Sequence, residues 1–143
     1  MKHVNSLILN KRMKDPKTYN ILVIEDNLGD YFLFEEYIHE KIEKPKIKHI
    51  ERFSQLQNMS DNINEFDVVF LDLTLPDKSG TDLVKEVLQI SQKTPVVVLT
   101  GYSDYKYALN TISLGASDYI LKDELNSIEL HKCIISSINS INN

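Results

Sequence analysis

The sequence predicts an α/β protein, a doubly wound five-stranded parallel sheet of alternating βα units in the flavodoxin-like order 2-1-3-4-5. From Tyr19 onward, short β-branched apolar runs alternate with amphipathic stretches of helical length, and that alternation builds a parallel sheet with helices on both faces. Four of the five runs are nearly continuous in apolar residues, as strands covered on both faces must be. Right-handed crossovers leave a doubly wound sandwich, and 2-1-3-4-5 is the common order at this size.

Residues 1–18 precede the first strand. Lys2, Lys11, Arg12, Lys14 and Lys17 face one acid there, Asp15, a formal +4 that leaves −9 for the remainder of a −5 chain. This segment reads as a flexible basic N-terminal arm without an assigned function. Asn20–Ile24 reads as the first strand, and Tyr31, Phe34, Ile38 and Ile42 fall on one face of the helix after it. Lys46–Ile50 alternates polar and apolar, which suits an edge strand. Phe66–Leu71 is the third strand, and Leu83, Val84, Val87 and Leu88 mark the following helix. Pro95–Leu99 is the fourth strand. A helix holding Ala108, Leu109 and Ile112 then stops at Gly115, a residue suited to a left-handed cap. Asp118–Leu121 is the fifth strand. Asn126 with Glu129 reads as a capping box opening a last helix striped by Ile128, Ile134, Ile135, Ile138 and Ile141.

Bulk properties narrow the function classes. The 143 residues, 42% hydrophobic and 26% charged, suit one globular domain. No apolar run approaches the roughly 20 residues of a membrane-spanning helix. A lone cysteine, Cys133, cannot close an internal disulfide, which fits a cytoplasmic setting, and its place in a helical pattern makes it a packing residue. Net negative charge argues against a nucleic-acid partner. His3, His39, His49 and His131 show no metal-ligand spacing.

In the 2-1-3-4-5 order, ligands bind beyond the carboxyl ends of the strands, at the switch point between strands 1 and 3. Glu25, Asp26 and Asn27 follow strand 1, Asp72 follows strand 3, Thr100 and Gly101 follow strand 4, and strand 5 runs into Lys122. Each residue alone has a plain explanation, since a Glu-Asp pair after a strand usually caps a helix and a lone lysine is usually solvated. Their convergence on one sheet edge is the signal. Three carboxylates in one crevice repel unless a cation joins them, and hard oxygen ligands suit Mg²⁺. Asp72 could then attack as a nucleophile and become an aspartyl phosphate, with Lys122 and the Thr100 hydroxyl on the phosphoryl oxygens.

The motifs Ile24-Glu25-Asp26, Leu71-Asp72-Leu73-Thr74-Leu75-Pro76-Asp77-Lys78-Ser79-Gly80, Leu99-Thr100-Gly101 and Gly115-Ala116-Ser117-Asp118-Tyr119-Ile120-Leu121-Lys122 jointly resemble the receiver domain of two-component response regulators. The resemblance spans Tyr19 to about Ile141 and assigns residues 19–143 to that domain. It implies that Asp72 is the phospho-acceptor and that Asp26, Asp72 and the Thr74 backbone carbonyl bind Mg²⁺, with Glu25 assisting. Thr100 becomes the switch hydroxyl, Lys122 the phosphoryl partner, and Tyr119 the aromatic ring that turns inward on phosphorylation. The implied donor is a sensor histidine kinase or phosphotransfer protein. The implied effector surface is the face of helix 4, strand 5 and helix 5, whose start is crowded by Tyr102, Tyr105 and Tyr107.

Family members often carry proline after the lysine, whereas Asp123 stands here, so a cis bond is not expected. Thr74 and Tyr102 lie two residues past Asp72 and Thr100, where side chains can tune phosphoryl lifetime. The bulk of Tyr102 leads to an expectation of slow self-dephosphorylation. With the chain ending after its fifth helix, the expected role is a stand-alone receiver that acts on itself and not as an enzyme on other substrates. A haloacid dehalogenase-type phosphatase would need a second acid where Thr74 stands, and a flavodoxin-like electron carrier would need a phosphate loop where Glu25-Asp26-Asn27 stand. A receiver-fold adaptor that works without phosphorylation is the remaining alternative, and the presence of every reactive residue argues against it.

Overall fold

The computed structural model describes residues 14–142. The strands are β1 (Asp15–Ile24), β2 (Ile42–Ile50), β3 (Val68–Asp72), β4 (Val96–Thr100) and β5 (Asp118–Leu121). The helices are α1 (Leu28–Lys41), α2 (Phe53–Gln57), α3 (Gly80–Ser91), α4 (Tyr105–Leu114) and α5 (Ser127–Asn142). All strand pairs are parallel and the sheet order is β2-β1-β3-β4-β5, the predicted topology.

Strand alternation splits the core into two layers. Leu22, Ile24, Val69, Leu71 and Val98 pack with Leu83, Val84 and Val87 of α3. Ile21, Val23, Phe70, Val97 and Leu99 point to the other face, against Tyr31, Phe34 and Ile38 of α1 and Leu130, Cys133 and Ile134 of α5. Both faces of the central strands are therefore apolar, which is why their sequences lack alternation. Phe34 is 1% exposed and meets Phe70 edge-on at 4.9 Å between ring centres. Phe34→Ala is expected to lower unfolding free energy by about 3–5 kcal/mol in urea titration; a loss below about 1 kcal/mol would show that this layer repacks.

Several boundaries differ from the sequence expectation. Of the expected arm, residues 1–13 lie outside the described residues, whereas Asp15–Thr18 already belong to β1. The Asp15 carboxylate accepts from the Tyr19 hydroxyl and lies 2.9 Å from His131 Nε2, tying the strand start to α5. Ile42, read from the sequence as the end of the first helical stripe, opens β2 instead. The helix passes directly into the strand, and the Ile42 N–H still bonds Ile38 O as the helix cap. Pro45 lies inside β2, tolerable because an edge strand has one unpaired side.

The C-terminal stripe is also turned. Leu130, Cys133, Ile134 and Ser137 are buried, whereas Ile128 and Ile141 are exposed. Counting isoleucines alone misaligned the face, because a serine occupies one inward position. In α4, Ala108 and Thr111 face the sheet while Leu109 and Ile112 are exposed. Small side chains allow this close approach, and Thr111 Oγ1 is satisfied by Ala108 O at 2.6 Å.

Gly115 caps α4 at φ 123°, as its position predicted. The peptide after Lys122 is trans. Burial pushes the Cys133 thiol up to about 12, so it is an inert packing group. Among the described residues, no helix is long and apolar enough to cross a membrane.

Candidate functional site

Parallel register delivers the site. Ile24 pairs with Leu71, Asp72 with Leu99 and Thr100 with Leu121, so Glu25, Asp72, Thr100 and Lys122 all emerge at one edge of the sheet. Asp72 closes β3 and is 8% exposed. Glu25, Asp26 and Asp72 each place a carboxylate oxygen within 4.8 Å of the others. Lys122 Nζ reaches Glu25 Oε1 at 2.6 Å, Asp30 Oδ2 at 2.8 Å and Asp72 Oδ1 at 3.6 Å.

These contacts set the electrostatics. Burial, reinforced by the Glu25 carboxylate, pushes the Asp72 carboxyl up to about 8, against the pull of Lys122 and the Thr74 backbone N–H. Burial works against the charge on Lys122, but Asp30 and Glu25 outweigh it and raise its affinity for the proton. The crevice therefore pairs a permanent ammonium with a carboxyl group whose charge is poorly compensated. An added cation is what such a carboxylate lacks.

The walls are built by local bonds. Asn27 Oδ1 accepts from Asp30 N at 3.0 Å and caps α1. Glu25 N bonds Ile50 O at 3.0 Å, and Asn27 N donates to Glu25 Oε2 at 3.2 Å. His49 Nε2 lies 2.7 Å from Glu25 O, so it is the donor, and its ring stacks on Tyr31 at 3.7 Å.

Across the crevice, the loop after β3 closes on itself. Thr74 bridges Ser79, Leu75 N bonds Lys78 O at 3.0 Å, and Gly80 N bonds Leu73 O at 3.1 Å. Gly80 adopts φ 72°, which a side chain would disfavour. At the loop tip, the Asp77 carboxylate accepts from Phe53 N at 2.9 Å and Ser54 N at 3.0 Å, capping α2. The two Asp77 bonds latch this loop to the start of α2.

Every predicted strand-end residue reaches this edge. Thr100 is buried, with only a long 3.5 Å contact from its hydroxyl to Gly101 O, so the hydroxyl has a partner to gain. Thr74 is exposed at the crevice lip, and its N–H serves Asp72. Tyr119 stands half-buried on β5, with its ring 6.1 Å from that of Tyr105. The side chain of Tyr102 lies outside the described residues.

Two residues of the site were missed. Asp30 is an acid in the first turn of α1, a position whose helix start lies at the same edge as the strand ends. His49 pairs with Val23 in β2, two positions before Glu25 in the parallel register. Asp30 depends on where α1 starts; His49 lies inside the expected strand Lys46–Ile50, and its reach to Glu25 depends on the register of that strand against β1, which apolar patterning does not set.

Comparison with known proteins agrees with this geometry. A model of the response regulator receiver domain matches residues 21–135. The methanogenesis regulatory protein FilR1 of Methanothrix harundinacea is 30% identical over 77% of this chain and 25% of its own length. The two-component response regulator ARR12 of Arabidopsis thaliana is 36% identical over 53% of this chain and 13% of its own. The chain thus spans a quarter or less of these two relatives. A crystal structure of a response regulator receiver domain protein from Clostridium thermocellum superposes with a TM-score of 0.75 at 26% identity, covering 87% of this chain and 97% of that one. Fold, strand-end residues and family match coincide, and the chain belongs to the response regulator receiver domain family of two-component signalling.

Proposed function

We propose that this receiver works by phosphorylation of Asp72, in an Mg²⁺-dependent reaction with a sensor histidine kinase or phosphotransfer protein as donor. The observation that carries this reading is the Asp72 carboxylate itself, grouped with the acids Glu25 and Asp26 and with the Lys122 ammonium 3.6 Å away. A carboxylate oxygen of Asp72 forms the new bond to phosphorus as the donor's bond breaks, and the donor leaves with the bonding pair. Lys122 and Thr100 then have a phosphoryl oxygen to bond, which charge stabilisation of this transfer requires.

The donor set fits the metal. Glu25, Asp26 and Asp72 supply hard carboxylate oxygens with no soft ligand among them, as Mg²⁺ prefers. Asp26, Asp72 and the Thr74 carbonyl would hold it, with Glu25 assisting. Bound Mg²⁺ would neutralise charge on the incoming phosphoryl group.

Two surfaces suit partners. Leu28 and Phe32 of α1 are 51% and 59% exposed, one turn apart beside the crevice, and offer an apolar contact to a phosphodonor protein. A groove along β5 between α4 and α5 is lined by Tyr105, Tyr119, Glu124 and Glu129 and adjoins the switch residues. Roughly two negative charges arriving at Asp72 would draw in Thr100 and open space for Tyr119, altering that groove.

Incubation with a small acyl phosphate and Mg²⁺ tests the metal requirement. Intact mass is expected to show one phosphoryl group per chain, and none after chelation or in Asp26→Ala. Uptake undiminished by chelation would overturn the metal-dependent reading.

A further inference from the structure

Resting on the reading of Asp72 as phospho-acceptor, we infer that Asp30 parks the Lys122 ammonium between phosphorylation events and yields it to the incoming phosphoryl group. Asp30 is then a positioning residue of the acceptor reaction, acting through Lys122.

An ammonium has three N–H donors. Lys122 donates to Asp30 Oδ2 at 2.8 Å and forms an ion pair with Glu25 Oε1 at 2.6 Å, while Asp72 Oδ1, at 3.6 Å, is beyond hydrogen-bond reach. In this arrangement the cation serves the crevice wall more than the acceptor. Bonding a phosphoryl oxygen on Asp72 means releasing a wall carboxylate.

The two wall carboxylates differ in what release leaves behind. The Glu25 side chain is 2% exposed, so losing Lys122 would strand a buried charge. The Asp30 side chain is 42% exposed, so water can replace the ammonium there. Asp30 is therefore the displaceable partner. Its backbone stays fixed, because its N–H is held by Asn27 Oδ1 at 3.0 Å. It also adds a negative charge at the mouth of a crevice that must admit an anion.

Removing the Asp30 charge should free Lys122 and lower that repulsion. Asp30→Asn is expected to raise the initial rate of uptake from a small acyl phosphate with Mg²⁺ by about threefold to tenfold. Affinity for trifluoroberyllate, a non-covalent phosphoryl mimic, should tighten by a similar factor. Asp30→Glu, which restores the charge, should stay within about twofold of wild type on both readouts. Far-UV circular dichroism establishes that both variants are folded. An Asp30→Asn protein no faster and no tighter than a labelled wild type overturns the parking role, as does an Asp30→Glu protein that behaves like Asp30→Asn. A wild type that takes up no phosphoryl group overturns the acceptor reading itself, an outcome separable from the other two.

Discussion

Asp72→Asn is expected to be inert to phosphodonors and yet more stable than the wild type. The Asp72 carboxyl is lifted from 3.8 to about 8 in the folded protein, chiefly by burial and secondarily by Glu25. The folded state therefore holds this proton more tightly than the unfolded chain does. Ionising the group weakens the fold: the penalty is absent below pH 4, grows as pH rises, and is complete above about 8. Asparagine keeps the shape and removes the charge. The crevice opens to water, which screens the charge, and a gain of about 2 kcal/mol at pH 8 is expected. Urea denaturation at pH 8 and pH 5 checks this, with the advantage of the variant shrinking at the lower pH. Adding Mg²⁺ should narrow the gap by stabilising the wild type alone. Equal stability of the two proteins at both pH values would contradict the electrostatic account of the crevice.

Lys122→Met is expected to produce the largest destabilisation at the site. Lys122 is the cation shared by Glu25, Asp30 and Asp72, and Glu25 is nearly inaccessible to water. Leaving that buried carboxylate unpaired costs about 3–5 kcal/mol. Glu25→Gln in the same background should recover much of the loss, because it removes the stranded charge. A double-mutant cycle followed by thermal or urea denaturation reads the coupling. A loss below about 1 kcal/mol from Lys122→Met, or no recovery in the double variant, would show that the pair is solvated.

The topology and the main site were legible because both depend on strand identity and little else. Once Asn20–Ile24 and Phe66–Leu71 are recognised as parallel neighbours, their carboxyl ends must coincide, and Glu25 and Asp72 must meet. Strand starts shifted by up to five residues and strand ends by at most one, with β5 unchanged, which leaves that logic intact, as β3 ends on Asp72 itself. Contacts that depend on helix placement were not legible. Asp30 meets Lys122 across 92 residues of chain, a pairing that requires the start of α1 to be fixed beside the end of β5. The clasp of Asp15 with Tyr19 and His131 is likewise tertiary, and it drew the start of β1 back into a segment whose composition suggested an arm. In α5, Ser137 took an inward position while Ile128 faced water. Hydrophobicity sets which faces can be buried, but the neighbouring elements choose among them.

Chemical mapping of the phosphoryl group tests the central claim most directly. The protein is incubated with a small acyl phosphate and Mg²⁺, trapped by borohydride reduction of the acyl phosphate, digested, and sequenced by mass spectrometry beside Asp72→Ala treated identically. A single modification on Asp72, missing from the variant, is the expected result. Modification of a different residue, or equal labelling of the variant, would contradict the assignment of Asp72 as the phospho-acceptor.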